Sequence, residues 1–466
     1  MPAVREGARR VHMVGIGGVG MSGIAELLVN LGYDVSGSDL TESSALDRLR
    51  AAGAHVTVGH DAGYVGRPDM VVVSSAVPAD NPELAEAARR AIPVVSRGAM
   101  LAEVAGLRRA IAVIGSHGKT TTTSMVAVIL VACGVDPTAI IGGRVGAFGS
   151  NARLGRGPFI VVEADESDRS FLHLSPEIAV LTNIDDEHLE AYAGMDDLEQ
   201  AFAVFASRVP PHGCLVACAD DERLRRLTRA ATSPVMTYGI DEPTASVRAY
   251  DVTLGATGSR CCVSVNTDTA RADIELDLRI PGRHNVLNAL AAVAVGTQIG
   301  ADTSVMRDAL ARFAGVDRRF EVHGEVDGIR VIDDYGHHPT EITAVLETAR
   351  LGNPRRVVLV FQPHRYTRTR RLLNRFGPAL ALADTLILTD VYAAGEAPVP
   401  GATAAAIAAS VAATSPIPIR RVASLDEAVE TVVSIARRGD VIVTLGAGSV
   451  GQIASRIIEL LKGRES

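Results

Sequence analysis

Short apolar runs recur along the chain, and each ends in a loop rich in glycine or charged residues. Examples are AIAVI at 110–114, IAVL at 178–181 and VVLVF at 357–361, and helix-forming segments separate such runs. Apolar runs of this length are typical of strands that are buried on both faces of a parallel sheet. Their alternation with helices constrains the fold more than any other feature, and it predicts an α/β protein with right-handed crossovers.

The first glycine-rich loop, GIGGVG, lies between an apolar strand and a helix predicted over 21–30. It matches the pattern G-x-G-x-x-G at Gly15, Gly17 and Gly20, and Asp39 follows at about the distance of a ribose-binding carboxylate. Glycines let the backbone approach a pyrophosphate, and the N-terminus of the following helix favours its charge. The loop therefore predicts NAD, FAD or a nucleotide-sugar as ligand, the alternative being a turn made only for tight packing.

The second loop, GSHGKTTTT at 115–123, departs from the strict phosphate-loop pattern because Val113 stands where the first glycine would be. The charged parts nevertheless remain. Lys119 can neutralise the β and γ oxygens of a triphosphate, and the Thr120 hydroxyl can reach a magnesium ion. A surface lysine is the weaker interpretation beside four successive threonines. The predicted ATP-binding residues of this loop are Gly115, Ser116, His117, Gly118, Lys119, Thr120 and Thr121.

Two phosphate loops on separate α/β blocks indicate two nucleotides, one a handle on a substrate and the other a triphosphate. A chain of 466 residues is also too long for one hydrophobic core. We predict three domains: a Rossmann-like N-terminal domain at 1–107, a central P-loop ATPase α/β domain at 108–314, and a Rossmann-like C-terminal domain at 315–466.

Acidic clusters follow two strands of the central block. VVEADESD contains Glu163, and TNIDDEH ends in His188. Carboxylates at the C-terminal ends of strands in an open α/β sheet are suitable magnesium ligands. In isolation His188 would be interpreted as a capping or solvated residue, but beside Lys119, Thr120 and Glu163 a metal role is the better interpretation.

Amide and guanidinium groups stand at other positions that suit a nucleotide or an acid. Asn285 and Asn288 lie three residues apart at the start of a predicted helix, where amides either pair with an adenine edge or cap the helix. FQPHRYTRTR follows a long strand of the third block. Its arginines suit a carboxylate or a phosphate, although Arg370 and Arg371 are equally suited to being solvated.

The composition of the chain argues against several classes of binding partner. The net charge of -8 argues against general nucleic-acid binding. No apolar run reaches the roughly 18 residues of a membrane span. The apolar stretch that follows the basic N-terminus is broken by His12 and a run of glycines, and no signal-peptide cleavage site follows. None of the five cysteines has C-x-x-C spacing, so we expect reduced thiols in the core. The expectation is a cytoplasmic monomer or weak homodimer without nucleic-acid or membrane partners.

Taken together, the motifs closely resemble those of the Mur ligase family, and within it the alanine-adding branch. The most specific segments are GSHGKTTTT, NIDDEHLEAY, GRHNVLNA, DDYGHHPTE and FQPHRYTRTR. The resemblance covers nearly the whole chain. It implies a domain for a uridine nucleotide, a central ATPase domain, and a C-terminal domain that closes over ATP and holds an amino acid. It also implies ATP-dependent joining of L-alanine to the lactyl carboxylate of UDP-N-acetylmuramate through an acyl phosphate, for peptidoglycan synthesis, with Mg²⁺ or Mn²⁺.

The resemblance also implies roles for individual residues, motif by motif. The UDP-sugar site would comprise Gly15, Gly17, Gly18, Val19, Gly20, Met21, Ser22, Asp39, Ser74 and Arg97. Thr120, Glu163 and His188 would bind the metal, and Asn285 and Asn288 would face adenine. Tyr335, His337, Arg365 and Arg368 would surround the alanine. The catalytic set would be Lys119, Glu163, His188, Arg319, Asp334 and His337. Within that set, Arg319 and Asp334 would bring the last domain to ATP, and His337 or an acidic neighbour would accept the amine proton.

One absence fits the alanine-adding branch, and three alternatives remain. No lysine lies between Lys119 and Lys462, so the central block lacks the carbamylated lysine that several other branches use. A recycling ligase would attach a whole peptide to the same sugar nucleotide. Its motif resembles DDFAHHP at the position where this chain has DDYGHHP, which disfavours this alternative. A Rossmann-type NAD-dependent oxidoreductase would leave the second loop without a role. A non-catalytic nucleotide-binding scaffold would not need Glu163 and His188.

Overall fold

The computed structural model describes residues 9–74, 76–146, 148–267 and 271–464. Residues 1–8, the first part of the N-terminal segment on which the signal-peptide argument rests, lie outside these ranges. The described chain is α/β with three sheets, which confirms the predicted fold class. The chain divides into two compact units. The first comprises Met1–Asp251, Cys261–Leu276 and Leu287–Phe313, and the second comprises Val252–Arg260, Asp277–Val286 and Ala314–Ser466. The limits of the three predicted domains stay a prediction.

The first sheet is parallel, with strand order β3-β2-β1-β4-β5. Its strands are β1 Arg10–Val14, β2 Asp34–Asp39, β3 His55–Val58, β4 Met70–Val73 and β5 Val94–Ser96. Its helices are α1 Val19–Asn30, α2 Ser44–Ala52, α3 Pro82–Arg89 and α4 Arg97–Ala105. The chain runs outward from β1 in one direction and then from β4 in the other. The crevice where ligands bind such sheets is therefore expected beyond the ends of β1 and β4, next to the first glycine loop.

The second sheet has ten strands in the order β15-β14-β13-β12-β11-β10-β6-β9-β7-β8. They are β6 Arg109–Ile114, β7 Thr138–Val145, β8 Ser150–Arg153, β9 Phe159–Glu163, β10 Ile178–Leu181, β11 Cys214–Cys218, β12 Val235–Gly239, β13 Val247–Leu254, β14 Ser259–Asn266 and β15 Arg271–Leu278. The helices are α5 Lys119–Ala132, α6 Met195–Ala206, α7 Glu222–Thr228, α8 Arg283–Gln298 and α9 Thr303–Arg312. Strand β6 lies between β9 and β10 and pairs with both in parallel, so the loop after β6 is flanked by the ends of both neighbours.

The third sheet has the order β16-β17-β21-β18-β19-β20. Its strands are β16 Glu321–Val326, β17 Ile329–Asp334, β18 Arg356–Phe361, β19 Thr385–Thr389, β20 Ile419–Val422 and β21 Asp440–Leu445. Its helices are α10 Pro339–Arg350, α11 Tyr366–Arg371, α12 Leu373–Leu380, α13 Ala404–Thr414, α14 Leu425–Ile435 and α15 Ile453–Lys462. The edge strand β16 pairs with β17 in the antiparallel direction, whereas the other pairs are parallel.

Alternate residues of the third sheet pack on opposite faces. Leu359 and Phe361 belong to one hydrophobic cluster, and Val358 and Val360 of the same strand belong to the other. This is the expected result for a central strand with helices on both faces, and it explains why the run has no polar alternation. Among the described residues, no helix combines the length and apolar character that a membrane span requires.

Candidate active site

The first glycine loop is held by the strand next to it. The amides of Gly15 and Ile16 donate to Ser38 O at 2.8 and 3.0 Å. The Gly17 amide donates to Asp39 Oδ2 at 2.8 Å, and a Cβ at Gly17 would lie 2.9 Å from that oxygen. Glycine is therefore required at position 17 by close packing. Asp39, predicted for a ribose, also fixes the loop.

Arg97 connects this loop to the acidic segment after β9. A Cβ on Gly20 would lie 3.0 Å from Arg97 Nη1, so the mostly buried guanidinium lies against the first turn of α1. Arg97 Nη2 donates to Asp165 Oδ2 at 2.8 Å, and Asp168 Oδ2 is 3.8 Å away. The structure thus places a cation predicted for the sugar nucleotide beside the carboxylates that follow the central strands.

The other residues predicted for the sugar nucleotide differ in accessibility. The side chains of Met21 and Ser22 are buried, and Ser22 Oγ accepts a hydrogen bond from Asn151 Nδ2 at 3.4 Å. Ser74 follows β4, and its Cβ would be 3.4 Å from a Cβ on Gly15, at the expected crevice. The buried side chain of Met21 is part of the core, so position 21 offers a ligand only its backbone. Gly18 precedes α1, and the side chain of Val19 lies outside the described residues.

The second loop is fixed by the end of strand β10. The Ser116 amide donates to Asn183 O at 3.1 Å, and the His117 amide donates to Asn183 Oδ1 at 2.9 Å. Thr182 Oγ1 donates to His117 O at 2.6 Å. Gly115 has φ +150°, and a Cβ there would overlap Thr182 Oγ1. The loop therefore depends on Thr182 and Asn183, to which sequence reasoning gave no role although both were visible at a strand end.

The ammonium of Lys119 is surrounded by acceptors. Its Nζ donates to Gly115 O at 2.7 Å, to Ser116 O at 3.3 Å and to Glu166 Oε1 at 2.7 Å. Burial lowers the pKa of Lys119, but the charges of Glu166, Asp165 and then Glu163 outweigh it and raise the pKa above its ordinary value. The lysine is therefore a charged group in a buried site, as phosphate binding requires.

Two predicted metal ligands are in direct contact. Thr120 Oγ1 donates to Glu163 Oε1 at 3.0 Å, and the Gly142 amide donates to Glu163 Oε2 at 2.7 Å. His188 has a left-handed backbone with φ 54°, and its Nε2 is 3.9 Å from Glu166 Oε1. Glu166 therefore lies between Lys119 and His188, a position that sequence reasoning did not assign to it.

Two further predicted ATP contacts are buried amides. Asn288 Oδ1 accepts from Thr122 Oγ1 at 3.1 Å and would be 2.6 Å from a Cβ on Gly118, whose φ is +80°. Asn288 thus supports the second loop from α8. Asn285 donates from Nδ2 to Pro281 O at 2.7 Å. Their predicted contact with adenine stays a prediction, as do the roles of Ser116 and the buried Thr121.

The second unit contains a series of ring contacts around the residues predicted for alanine. The ring centroids of Tyr335 and His337 are 5.6 Å apart, as are those of His337 and His364, and Tyr392 stacks on His364. Arg368 is buried, with Nη1 at 3.1 Å from His364 Nδ1. The structure therefore groups three of the four predicted residues with His364 and Tyr392, which had no assigned role.

The remaining predicted residues of this unit are Arg319, Arg365 and Asp334. The guanidinium of Arg319 is 5.1 Å from the ring centroid of Tyr335. Arg365 precedes α11 and has φ 68°. Asp334 accepts from the amides of Phe320 and Gly336 at 2.7 and 2.6 Å. Burial raises the pKa of Asp334 to about 6, although Arg319 and these two amides oppose the shift.

Three family models match successive parts of the chain. They are described as Mur ligase family, catalytic domain (residues 10–109), Mur ligase middle domain (113–296) and Mur ligase, glutamate ligase domain (318–448). The chain belongs to the Mur ligase family, which confirms the resemblance drawn from its motifs.

Individual relatives within the family are more informative. The chain is 49% identical to the UDP-N-acetylmuramate–L-alanine ligase of Burkholderia ambifaria, over 97% of this chain and 98% of the relative. It is 48% identical to the enzyme of that name from Anaeromyxobacter dehalogenans, over 99% and 100%. The crystal structure of UDP-N-acetylmuramate-alanine ligase from Thermotoga maritima matches with TM-score 0.83 and 31% identity, over 98% and 99%. A murein peptide ligase from Psychrobacter arcticus matches with TM-score 0.73 and 27% identity, over 97% and 98%.

Proposed function

We propose that this protein is an ATP-dependent ligase that forms the amide bond between L-alanine and the lactyl carboxylate of UDP-N-acetylmuramate, in peptidoglycan precursor synthesis. The observation that carries the proposal is the second loop, where a buried, charged Lys119 and the Thr120–Glu163 pair converge at the end of β6. Relatives close to half identical over nearly their whole length bear this enzyme's name. In this proposal the first loop binds the uridine nucleotide and the second binds ATP.

The donor set of the second loop fits a divalent cation. The hydroxyl of Thr120 and the carboxylate of Glu163, 3.0 Å apart, are the hard oxygen ligands that Mg²⁺ prefers. With His188 they would hold Mg²⁺, which when bound neutralises phosphate charge. Mn²⁺ is a suitable substitute because carboxylate oxygens suit it as they suit Mg²⁺.

The proposed chemistry gives a role to the buried ammonium of the second loop. The lactyl carboxylate attacks the γ-phosphorus, and the bond to the bridging oxygen of ADP breaks. Lys119 and the loop amides reduce the repulsion between the two anions. The amine of alanine then attacks the acyl carbon, and phosphate leaves with one of the original carboxylate oxygens. His337 or an acidic neighbour accepts the amine proton, while Tyr335, Arg365 and Arg368 hold the alanine.

The recycling ligase is the second candidate, and an observation disfavours it. The alanine ligase structure matches this chain with a higher TM-score and identity than the murein peptide ligase structure, 0.83 and 31% against 0.73 and 27%. We further propose a cytoplasmic monomer or weak homodimer that acts on small molecules without nucleic-acid or membrane partners, with domain limits at 107 and 314.

A three-substrate assay tests the proposal. The protein is incubated with ATP, Mg²⁺, UDP-N-acetylmuramate and L-alanine, and phosphate and product mass are measured. We expect one phosphate per amide formed, and no phosphate when either acceptor substrate is omitted. Faster coupling of a peptide than of alanine would identify a recycling ligase, oxidation of NADH would identify an oxidoreductase, and nucleotide binding without turnover would identify a scaffold.

Oxygen-18 in the lactyl carboxylate tests the intermediate. If the carboxylate attacks phosphorus, one labelled oxygen leaves with each phosphate and the other stays in the amide. Unlabelled phosphate formed together with product would contradict the acyl-phosphate route.

A further inference from the structure

Every donor of the Lys119 ammonium already has an acceptor. An ammonium has three protons, and the acceptors within reach are Gly115 O at 2.7 Å, Ser116 O at 3.3 Å and Glu166 Oε1 at 2.7 Å. A phosphate oxygen can therefore bond to Nζ only if one of these contacts is given up or shared. Lys119 is therefore already paired before a ligand binds.

The contact most easily exchanged is the one with Glu166. The two carbonyls belong to the loop itself, and the amides of Ser116 and His117 hold that loop against Asn183. Glu166 lies on a separate segment after β9. Its carboxylate also resembles a phosphate, because both present anionic oxygens that accept charge-assisted hydrogen bonds from an ammonium.

Giving up this contact has a cost that is set by the surroundings of Glu166. The carboxylate is fully buried, and among the described residues its Oε2 has no hydrogen-bond partner. Beyond Lys119, the imidazole of His188 lies close by, with Nε2 at 3.9 Å from Oε1. The backbone at this position is anchored, since Tyr192 Oη donates to Glu166 O at 2.6 Å. A buried carboxylate that loses its ammonium is destabilised, so the pair opposes the transfer of Lys119 to a phosphate.

We propose that Glu166 is a positioning residue that competes with nucleotide phosphate for the Lys119 ammonium, and that it thereby weakens ADP binding and speeds ADP release. The proposal rests on the proposed function, because it requires the second loop to bind an adenine nucleotide. It adds a residue that acts on the nucleotide through Lys119 and not by contact with the nucleotide itself.

The test compares ADP binding to wild type, Glu166→Gln and a matched control, measured by calorimetry without metal and with Mg²⁺, and ADP release measured by stopped flow. Glutamine keeps the shape and removes the charge, so ADP should bind about fivefold to tenfold more tightly and leave correspondingly more slowly. The control is Glu177→Gln, which makes the same change in a more exposed ion pair, to Arg109 at 2.6 Å, ahead of β10. It should leave both values unchanged.

A double-mutant cycle separates competition from a purely structural effect. In a Lys119→Ala background, Glu166→Gln should no longer tighten ADP binding, because the shared partner is gone. Unchanged ADP affinity in Glu166→Gln would overturn the proposal. Weaker ADP binding that is seen only when Mg²⁺ is present would also overturn it, because it would make Glu166 a metal ligand. If Glu166→Gln fails to fold, Glu166→Asp, which withdraws the charge by one methylene, should give a smaller change of the same sign. Failure of wild type to bind ADP would instead contradict the proposed function.

Discussion

The two glycine-rich loops share a backbone plan but obtain positive charge in different ways. In the first loop, the Gly17 amide is bonded to Asp39, and the guanidinium against Gly20 comes from Arg97, which an acidic segment shares. In the second, Lys119 belongs to the loop itself. Both cations are shared with the acidic segment after β9, Arg97 through Asp165 and Lys119 through Glu166. Only the ammonium is carried by its own loop, where it is placed to stabilise charge that develops during phosphoryl transfer. The comparison supports the proposal that the first loop recognises the sugar nucleotide and that the second carries the chemistry.

A buried glutamate near each loop shows the same difference. Glu83 lies under the first sheet and accepts from His12 Nε2 at 2.6 Å, His60 Nδ1 at 2.7 Å and Ser38 Oγ at 2.7 Å. Burial raises the pKa of Glu83, but these hydrogen bonds outweigh it and hold the pKa below its ordinary value. Burial raises the pKa of Glu166, and the charges of Lys119 and His188 do not fully offset it. A carboxylate with several donors is a structural centre, whereas one that depends mainly on a single ammonium can exchange partners.

The largest effect is expected for Lys119→Ala. Removal of the ammonium should reduce phosphate release by about 10³-fold or more, since it stabilises charge in the transition state. The affinity for UDP-N-acetylmuramate, measured by calorimetry, should change less than about twofold, as expected for a substitution outside the sugar-nucleotide site. Arg97→Ala should show the converse, with weaker sugar-nucleotide binding. Equal loss of both properties in either variant would mean that the two loops serve one ligand.

Glu83→Gln should affect stability and not nucleotide binding. An amide cannot accept at both of its ends, so we expect a loss of about 2–4 kcal/mol in the free energy of unfolding at pH 7. The folded pKa of Glu83 lies below the ordinary value of 4.5, so its contribution is present above that pH and is lost as the pH falls through the folded pKa. In urea unfolding between pH 3 and 7, the free energy of unfolding should therefore fall less steeply with decreasing pH in the variant than in the wild type. An unchanged pH dependence, or a changed ADP affinity, would contradict the division between the two glutamates.

The metal should belong to the second loop. Glu163→Gln and His188→Ala should each raise the Mg²⁺ concentration for half-maximal phosphate release by about tenfold to a hundredfold. Asp39→Asn is the control at the first loop and should leave this concentration unchanged while it raises the KM for the sugar nucleotide. Normal activity of both central variants at low Mg²⁺ would exclude them as ligands.

How much of this could be predicted from sequence depends on the distance over which a residue acts. Strands such as 356–361 and the two loops are local patterns of hydrophobicity and glycine, so their bounds were predicted within a few residues. The antiparallel edge strand β16 was not predicted, because EVHGEV has only a weak apolar alternation. Glu166 is one of several carboxylates in VVEADESD, and the sequence does not show which of them pairs with Lys119, because that depends on how β9 and the second loop are placed in the fold.

The smallest effects come from neighbouring glycines of the first loop, and they test how closely that loop is packed. A Cβ at Gly17 would lie 2.9 Å from Asp39 Oδ2 and 3.0 Å from Leu46 Cδ2, so Gly17→Ala must displace the carboxylate that holds the loop. Overpacking of this kind costs about 1–3 kcal/mol, and we expect the KM for the sugar nucleotide to rise by about tenfold.

Gly18→Ala is the matched control for that change. A Cβ at Gly18 would meet Gly15 O at an ordinary 3.5 Å, and its φ of -59° suits alanine. The remaining cost is the loss of glycine at the N-cap of α1, about 0.5–1 kcal/mol because glycine is favoured over alanine there, so the KM should rise clearly less than in Gly17→Ala. Neither variant should alter the KM for ATP, because neither position touches the second loop. If Gly18→Ala proved as damaging as Gly17→Ala, approach of a ligand to the loop, and not packing against Asp39, would be the reason for glycine at both positions.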